Sequence, residues 1–170
     1  RNHVQSAALQ VVLTHAGIQF VVHSGVTFFE QAHIKDITAF LKVLFNPLDE
    51  ISWMRLLRLL PGIGNTTANK IFIVLKSQQA VRLTKENAEL QKLIPQKSLE
   101  SWNLLLEIFQ QMLAESVNPS QMISILYQNF YRDVMFSSFE NAAQRDTDIR
   151  YLEEFSANYE KLDAFLNELS

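Results

Sequence analysis

Apolar residues recur at intervals of three and four positions along most of this 170-residue chain. Over residues 32–45 the large apolar side chains fit one face of a helix, and the run ends at Asn46-Pro47 because a residue before proline avoids the α conformation. The same spacing predicts further helices over residues 4–16, about 66–76, 86–93, 98–115, 148–159 and 161–169. The sequence therefore predicts an all-α, mainly helical fold.

Capping residues refine this pattern. Asp49 or Ser52 is placed to begin a helix that carries Trp53, and Asn118-Pro119 has the order of an N-cap followed by the first helical residue. A break is expected within residues 141–146. These signals divide the helical chain into short, separate segments.

One short segment near the start predicts a strand instead. Residues 19–23, Gln-Phe-Val-Val-His, are β-branched and aromatic and lie between Gly17 and Ser24-Gly25. A single strand is not stable alone. We therefore assign it to the edge of an adjacent α/β domain.

Composition excludes several classes of protein. The chain has no cysteine, so disulfides and thiolate metal sites are excluded, which fits a reducing, cytoplasmic location. No apolar run approaches the roughly 18 residues of a membrane span, so no membrane partner is expected. The sequence starts at Arg1 directly in a helical pattern, and we expect it to be a piece of a longer polypeptide.

Charge is distributed unevenly along the chain. Residues 55–97 carry eight cations and two acids, whereas residues 98–170 carry four cations and twelve acids. Local positive charge is what a polyanion-binding surface needs, so the middle segment is the candidate for nucleic-acid contact. A solvated helix face is the alternative explanation of such a cluster. Three cations of this segment are predicted to form a supporting basic surface: Arg55, Arg58 and Lys76.

The basic segment contains Pro61-Gly-Ile-Gly64 between two predicted helices. Each glycine can adopt positive φ and leave its amide uncovered, and the first amides of the next helix add the positive end of its dipole. This arrangement is typical of a site for one phosphate and resembles the helix-hairpin-helix motif of DNA repair proteins. A compact helix–helix turn without a ligand is the alternative. The predicted DNA phosphate-binding residues of the hairpin are Gly62, Ile63, Gly64, Thr66, Thr67 and Lys70, with Ile63 turned inward to hold it.

Other patterns do not predict a catalytic or metal site. The four histidines, His3, His15, His23 and His33, do not pair at metal-ligand spacing, and satisfied or exposed histidines explain them better. The chain lacks G-x-x-x-x-G-K-[ST] and G-x-S-x-G, so we assign no catalytic residue to it. Several aromatic residues lie at helical spacing and are expected in the core: Phe109, Tyr127, Phe130, Tyr131 and Phe136.

Three motifs in order resemble a known family. Gly25-Val-Thr-Phe-Phe-Glu-Gln-Ala-His-Ile-Lys-Asp36, then Asn46-Pro-Leu-Asp49, then the Gly-Ile-Gly hairpin are similar to the 2B subdomain of UvrD/PcrA/Rep-type superfamily 1 DNA helicases. Residues 1–9 resemble a helix of the 2A motor domain, and residues 149–154 and 162–166 resemble segments that close 2B. The resemblance implies that residues 1–24 are a remnant of 2A and that residues 25–170 form the 2B helical subdomain. Ser24 and Gln31 depart from the family pattern, which has glycine and arginine there.

The resemblance implies a function that composition alone does not. It implies 3′ to 5′ translocation on DNA driven by ATP and Mg²⁺ in the parent helicase, with the ATP site outside this fragment, which needs no cofactor of its own. It also implies contact of Lys35 and the hairpin with double-stranded DNA or a duplex–single-strand junction. The 1A, 1B and 2A domains would be partners within the parent chain, and repair or replication proteins are further candidate partners.

We therefore predict a duplex-binding 2B subdomain that swings relative to the motor and so switches unwinding on or off. One alternative is a protein-docking module that uses the acidic last third of the chain. A helix-hairpin-helix glycosylase is another alternative. That family would need a catalytic aspartate about twenty residues after the hairpin, but the next acidic residue after Gly64 is a glutamate, Glu86.

Overall fold

A computed structural model describes residues 28–77, 88–114 and 117–169. The chain divides into two compact units, Arg1–Glu30 and Gln31–Ser170. The predicted helix over residues 4–16 and the predicted strand over residues 19–23 lie outside the described residues, and the predicted boundary after residue 24 stays a prediction. The helical unit is described below.

The described part of this unit is mainly helical and contains no strand, which confirms the all-α prediction. Its elements, in chain order, are α1 (Ala32–Phe45), α2 (Glu50–Leu57), α3 (Asn65–Ser77), α4 (Ala88–Leu93), a 3₁₀ turn (Gln96–Ser98), α5 (Leu99–Ala114), α6 (Pro119–Leu126), a π-helical segment (Tyr127–Tyr131), α7 (Arg132–Ser138), α8 (Ala142–Ser156) and α9 (Leu162–Glu168). None of the described helices has the length and apolar character needed to cross a membrane.

Local capping signals fix several helix ends as expected. The Asp49 side chain accepts a hydrogen bond from the Ser52 amide at 3.1 Å, so Asp49 is the cap of α2. Asn118 and Gln121 exchange side chain–backbone hydrogen bonds in a capping box at the start of α6. The break predicted within residues 141–146 was wrong by a few positions: α7 ends at Ser138 and α8 begins at Ala142.

Aromatic side chains from α1, α2, α5 and the π-helical segment form the core. Phe40 lies edge-on to Phe109 and Phe130, with ring centroids 6.3 and 5.6 Å away, and Trp53 contacts Phe109 in the same way at 6.4 Å. The Trp53 indole N–H donates to the Pro47 carbonyl at 2.9 Å, so its burial leaves no polar atom unsatisfied. Four of the five aromatic residues expected in the core are buried there: Phe109, Tyr127, Phe130 and Tyr131.

The prediction was wrong for Phe136. Its side chain is 47% exposed on α7, and the Arg132 guanidinium lies 4.9 Å from the centre of its ring. Phe136 follows buried Tyr131 by five positions, about 140° around a regular helix, whereas buried Met135 follows it by four positions and shares its face. Helical spacing therefore does not place Phe136 on the buried face.

Asp36 is a buried carboxylate that joins three elements. It is 4% exposed on α1 and accepts hydrogen bonds from the Arg55 Nε of α2 at 2.6 Å and from the Tyr131 hydroxyl at 2.5 Å. Arg55 also donates to the Ala32 carbonyl at 2.9 Å. Burial and the adjacent carboxylate raise the pKa of Tyr131, so this hydroxyl remains a donor.

His33, one turn before Asp36, joins α1 to α8. Its Nε2 lies 3.1 Å from an Asp148 carboxylate oxygen, and its Nδ1 lies 2.6 Å from the Arg145 guanidinium. Because a guanidinium can only donate, Nδ1 is the acceptor and Nε2 carries the proton of a neutral ring. Burial, and then the Arg145 charge, lower the pKa of His33, against the opposing effects of Asp148 and Asp36.

A short turn joins α2 to α3. The Ile63 N–H donates to the Leu60 carbonyl at 3.2 Å, and Ile63 is 5% exposed, so it points inward as predicted. Gly62 has a φ of +78°, which favours glycine, whereas Gly64 does not use the positive-φ region that was open to it. The Ala68 N–H donates to the Gly64 carbonyl at 2.9 Å, so Gly64 is the N-cap position of α3.

The His33 contacts predict an acid-sensitive fold. Between the ordinary histidine pKa of about 6.5 and the lowered pKa of buried His33, the unfolded chain binds a proton that the folded chain does not. The stabilisation is therefore complete above about pH 6.5 and is lost as the pH falls through the lowered pKa. Urea unfolding between pH 7.5 and 5.5 should show this loss, and His33→Gln should reduce its pH dependence; an equal slope in both proteins would contradict the assignment.

We expect substitutions of the two glycines of the turn to differ in their effect on the free energy of unfolding. Gly62→Ala places an L-residue at a φ of +78° and should lower the free energy of unfolding by about 1–2 kcal/mol. Gly64→Ser should change it by less than about 0.5 kcal/mol, because a Cβ there has no atom within 4 Å and serine is a good N-cap. Urea unfolding of both variants measures the difference, and equal losses would refute this account of the turn.

Candidate nucleic-acid interface

The exposed side of the α2–α3 turn brings most of the predicted phosphate-binding residues together. Gly62, Gly64, Thr66 and Lys70 are exposed, and Thr67 is half-buried. They lie on the turn and the first two turns of α3, where side chains three and four positions apart share a face. The structure therefore presents these residues on one continuous stretch of surface.

Backbone donors are available on this stretch. Ala68 is the first residue of α3 whose amide donates to a backbone carbonyl, that of Gly64. The amides of Asn65, Thr66 and Thr67 come before it and have no intrahelical acceptor. They form the positive end of the α3 dipole. Ile63 is the exception among the predicted residues, because its amide bonds to Leu60 and its side chain is buried. It supports the turn and does not face a ligand.

Of the predicted supporting cations, Arg58 lies at the turn. Its guanidinium is 3.4 Å from the Asn65 side-chain oxygen, which links the end of α2 to the start of α3. Lys76, in contrast, is in the last turn of α3, about 16 Å along the helix axis from Asn65. Arg55 is engaged with Asp36 and the Ala32 carbonyl. Only Arg58 of these three is therefore placed beside the hairpin.

Lys35 lies apart from the turn in sequence and in secondary structure. It is half-buried in the first turn of α1, next to Asp36, and its amide donates to the Gln31 carbonyl at 2.9 Å. The Asp36–Arg55 ion pair joins its helix to α2, which leads into the hairpin. Its contact with DNA stays a prediction.

The 3₁₀ turn before α5 adds a residue that the motif did not include. A Cβ built on Gly62 would overlap the Lys97 Cε and lie 2.7 Å from its Nζ, so the Lys97 side chain crosses the turn directly over Gly62. The neighbouring Ser98 is buried, and its hydroxyl donates to the Pro61 carbonyl. The sequence gives no local sign of this contact, because residues 61 and 98 are 37 positions apart.

The charge around the turn is positive and lacks a counter-charge within it. In the part of the chain that the structure describes, Arg58, Lys70 and Lys97 form no ion pair. Cationic side chains and unpaired backbone amides on one surface favour the binding of an anion. Backbone phosphates of a nucleic acid supply such anions without requiring base recognition.

In comparisons with known proteins, the similar proteins are ATP-dependent DNA helicases. The chain is 35% identical over 72 residues to the ATP-dependent DNA helicase PcrA of Bacillus subtilis, which covers 42% of this chain and 10% of that protein. It is 46% identical over 57 residues to the ATP-dependent DNA helicase UvrD1 of Mycobacterium tuberculosis, covering 34% and 7%. With PcrA of Staphylococcus epidermidis it shares 24% identity over 162 residues, covering 91% and 22%.

The matched region is thus at most about a fifth of the length of these relatives. The family model of the UvrD-like helicase C-terminal domain matches residues 1–170. The chain therefore belongs to the family of UvrD-like helicase C-terminal domains.

Proposed function

We propose that residues 25–170 are the 2B subdomain of an ATP-dependent 3′ to 5′ DNA helicase and that they bind double-stranded DNA, or a duplex–single-strand junction, through the α2–α3 turn. The observation that carries this proposal is the exposed turn itself, where unpaired amides and cations without acidic partners share one surface. Membership of the UvrD-like family supports a DNA substrate for the longer polypeptide.

The bound group in this proposal is a backbone phosphate. The amides at the start of α3 donate to it, the Thr66 and Thr67 hydroxyls add donors, and Lys70 adds a charge one turn further along. None of these groups reads a base edge, so binding is independent of sequence and sensitive to salt. Swinging of the subdomain relative to the motor would then carry the duplex toward or away from the site of unwinding.

ATP and Mg²⁺ belong, in this proposal, to the other parts of the helicase. The described residues contain no group of three or more His, Cys, Asp or Glu side chains that could hold a metal ion, and the sequence lacks the G-x-x-x-x-G-K-[ST] motif. We assign no step of nucleotide hydrolysis to them. We propose the 1A, 1B and 2A domains as partners, a role in DNA repair or replication, and a cytoplasmic location.

Protein docking is a second candidate function. Exposed acids are spread over α8, α9 and the loop between them: Glu154, Glu160, Asp163 and Glu168. This surface is opposite in charge to the hairpin segment and is suited to a basic protein partner. It needs no contact between the hairpin and DNA, so the same experiment separates the two functions.

Substitutions of Gly64 test the duplex-binding proposal without disturbing the fold. Gly64→Asp places a carboxylate among the α3 amides, where it is sterically free and caps the helix well. It should nevertheless weaken duplex binding about tenfold or more, because the carboxylate repels the phosphate. Gly64→Asn has nearly the same shape without the charge and should stay within about threefold of the unaltered protein.

The measurement is fluorescence anisotropy with a labelled duplex–single-strand junction at several salt concentrations, with unfolding midpoints as the check on folding. Equal affinity of the Asp and Asn variants would argue against the hairpin as the DNA contact. Retained binding to a basic protein partner in the same variants would instead favour docking.

A further inference from the structure

We infer that Lys97, which lies outside the hairpin motif, is a direct phosphate ligand of the same DNA-binding surface, so that two separate segments of the chain hold the duplex. This inference rests on the proposed duplex-binding function. Its basis is the position of the Lys97 side chain, which crosses the exposed face of Gly62.

The position of Lys97 is fixed by its neighbours. Ser98 is fully buried and donates its hydroxyl hydrogen to the Pro61 carbonyl, and the Ser98 amide donates to the Pro95 carbonyl at 2.8 Å. Ile94, just before this proline, is 5% exposed. Ser98 therefore anchors the start of α5 to the turn, and Lys97 is the exposed residue next to this serine.

The missing side chain of Gly62 makes room for the lysine. A Cβ at Gly62 would lie 3.0 Å from the Lys97 Cδ and 2.7 Å from its Nζ, so the ammonium lies within about 4 Å of the Gly62 Cα. The methylene groups can lie flat on the backbone while the charge stays in solvent. Glycine at position 62 thus serves the backbone conformation and the approach of the lysine together.

The electrostatics of this contact point to an anion. Lys97 forms no ion pair and no side-chain hydrogen bond within the described residues, and it lies beside a turn that leads into the positive end of α3. Two positive groups that face the same solvent repel each other unless an anion lies between them. A backbone phosphate bound at the turn would accept from the Lys97 ammonium, in addition to the phosphate contacts of the α3 amides.

Lys92 provides a matched control for Lys97. Lys92 is exposed on α4, in the same basic segment and five residues before Lys97. Lys92→Gln removes the same charge from the same region, so general attraction of DNA falls equally in both variants. A difference between Lys92→Gln and Lys97→Gln therefore measures direct contact.

The experiment measures the salt dependence of junction binding by anisotropy for the unaltered protein, Lys97→Gln, Lys97→Arg, Lys92→Gln and Gly64→Asp. Losing one phosphate contact lowers the slope of log K against log salt by about 0.9. The affinity deficit of Lys97→Gln should therefore be about 3.5-fold larger at 50 mM than at 200 mM salt. Lys97→Arg should keep the slope of the unaltered protein, and Lys92→Gln should change it much less than Lys97→Gln.

The outcomes separate the two proposals. If Lys97→Gln and Lys92→Gln have the same slope while Gly64→Asp loses binding, the role of Lys97 is overturned and duplex binding by the hairpin stands. If the unaltered protein shows no salt-dependent binding of the junction, both proposals are overturned. The same holds if Gly64→Asp binds the junction as tightly as the unaltered protein. Loss of slope in Lys97→Arg as well would show that the geometry of the turn, and not the charge, was disturbed, and would also overturn the assignment.

Discussion

The carboxylate of Asp36 is the group around which the helical unit is arranged. A buried charge is tolerated only when hydrogen bonds and an opposite charge replace its water, and here Arg55 and Tyr131 do so from two other elements. Arg55 belongs to α2, so this ion pair sets α2 against α1 and thereby directs the turn that follows. The candidate DNA surface thus depends on a polar contact in the interior as well as on its own residues.

Local sequence predicted the helices because helix signals are local. The spacing of apolar residues in α1, the cap at Asp49 and the capping box at Asn118 each operate within a few positions, and the structure has them where they were expected. The interior contacts were not predictable in this way. Tyr131 lies 95 positions from Asp36, and Asp148 lies 115 positions from His33, so no local pattern joins them.

In the candidate site, too, the local features were predictable from the sequence and the long-range contacts were not. The structure keeps most of the predicted hairpin residues on one stretch of surface, with Ile63 buried beneath it, because the turn and the helix start are consecutive in sequence. Their contact with DNA stays a prediction. Composition alone selected the other cations, and it could not distinguish Arg55, which is engaged inside the fold, from Lys97, which crosses the turn. The distinction comes from tertiary contacts such as the one between Ser98 and Pro61.

The π-helical segment Tyr127–Tyr131 also determines what the long helical rod from Pro119 to Ser138 can present to its surroundings. Ile123, Tyr127, Tyr131 and Met135 are buried at intervals of four residues, which in a regular helix would rotate the buried line by about 40° at each step. The wider turn of the π-helical segment offsets this rotation, so the buried sides of α6 and α7 stay aligned. A single rod can therefore keep one side against the core from Pro119 to Ser138 while it offers Arg132 and Phe136 to solvent on the other side.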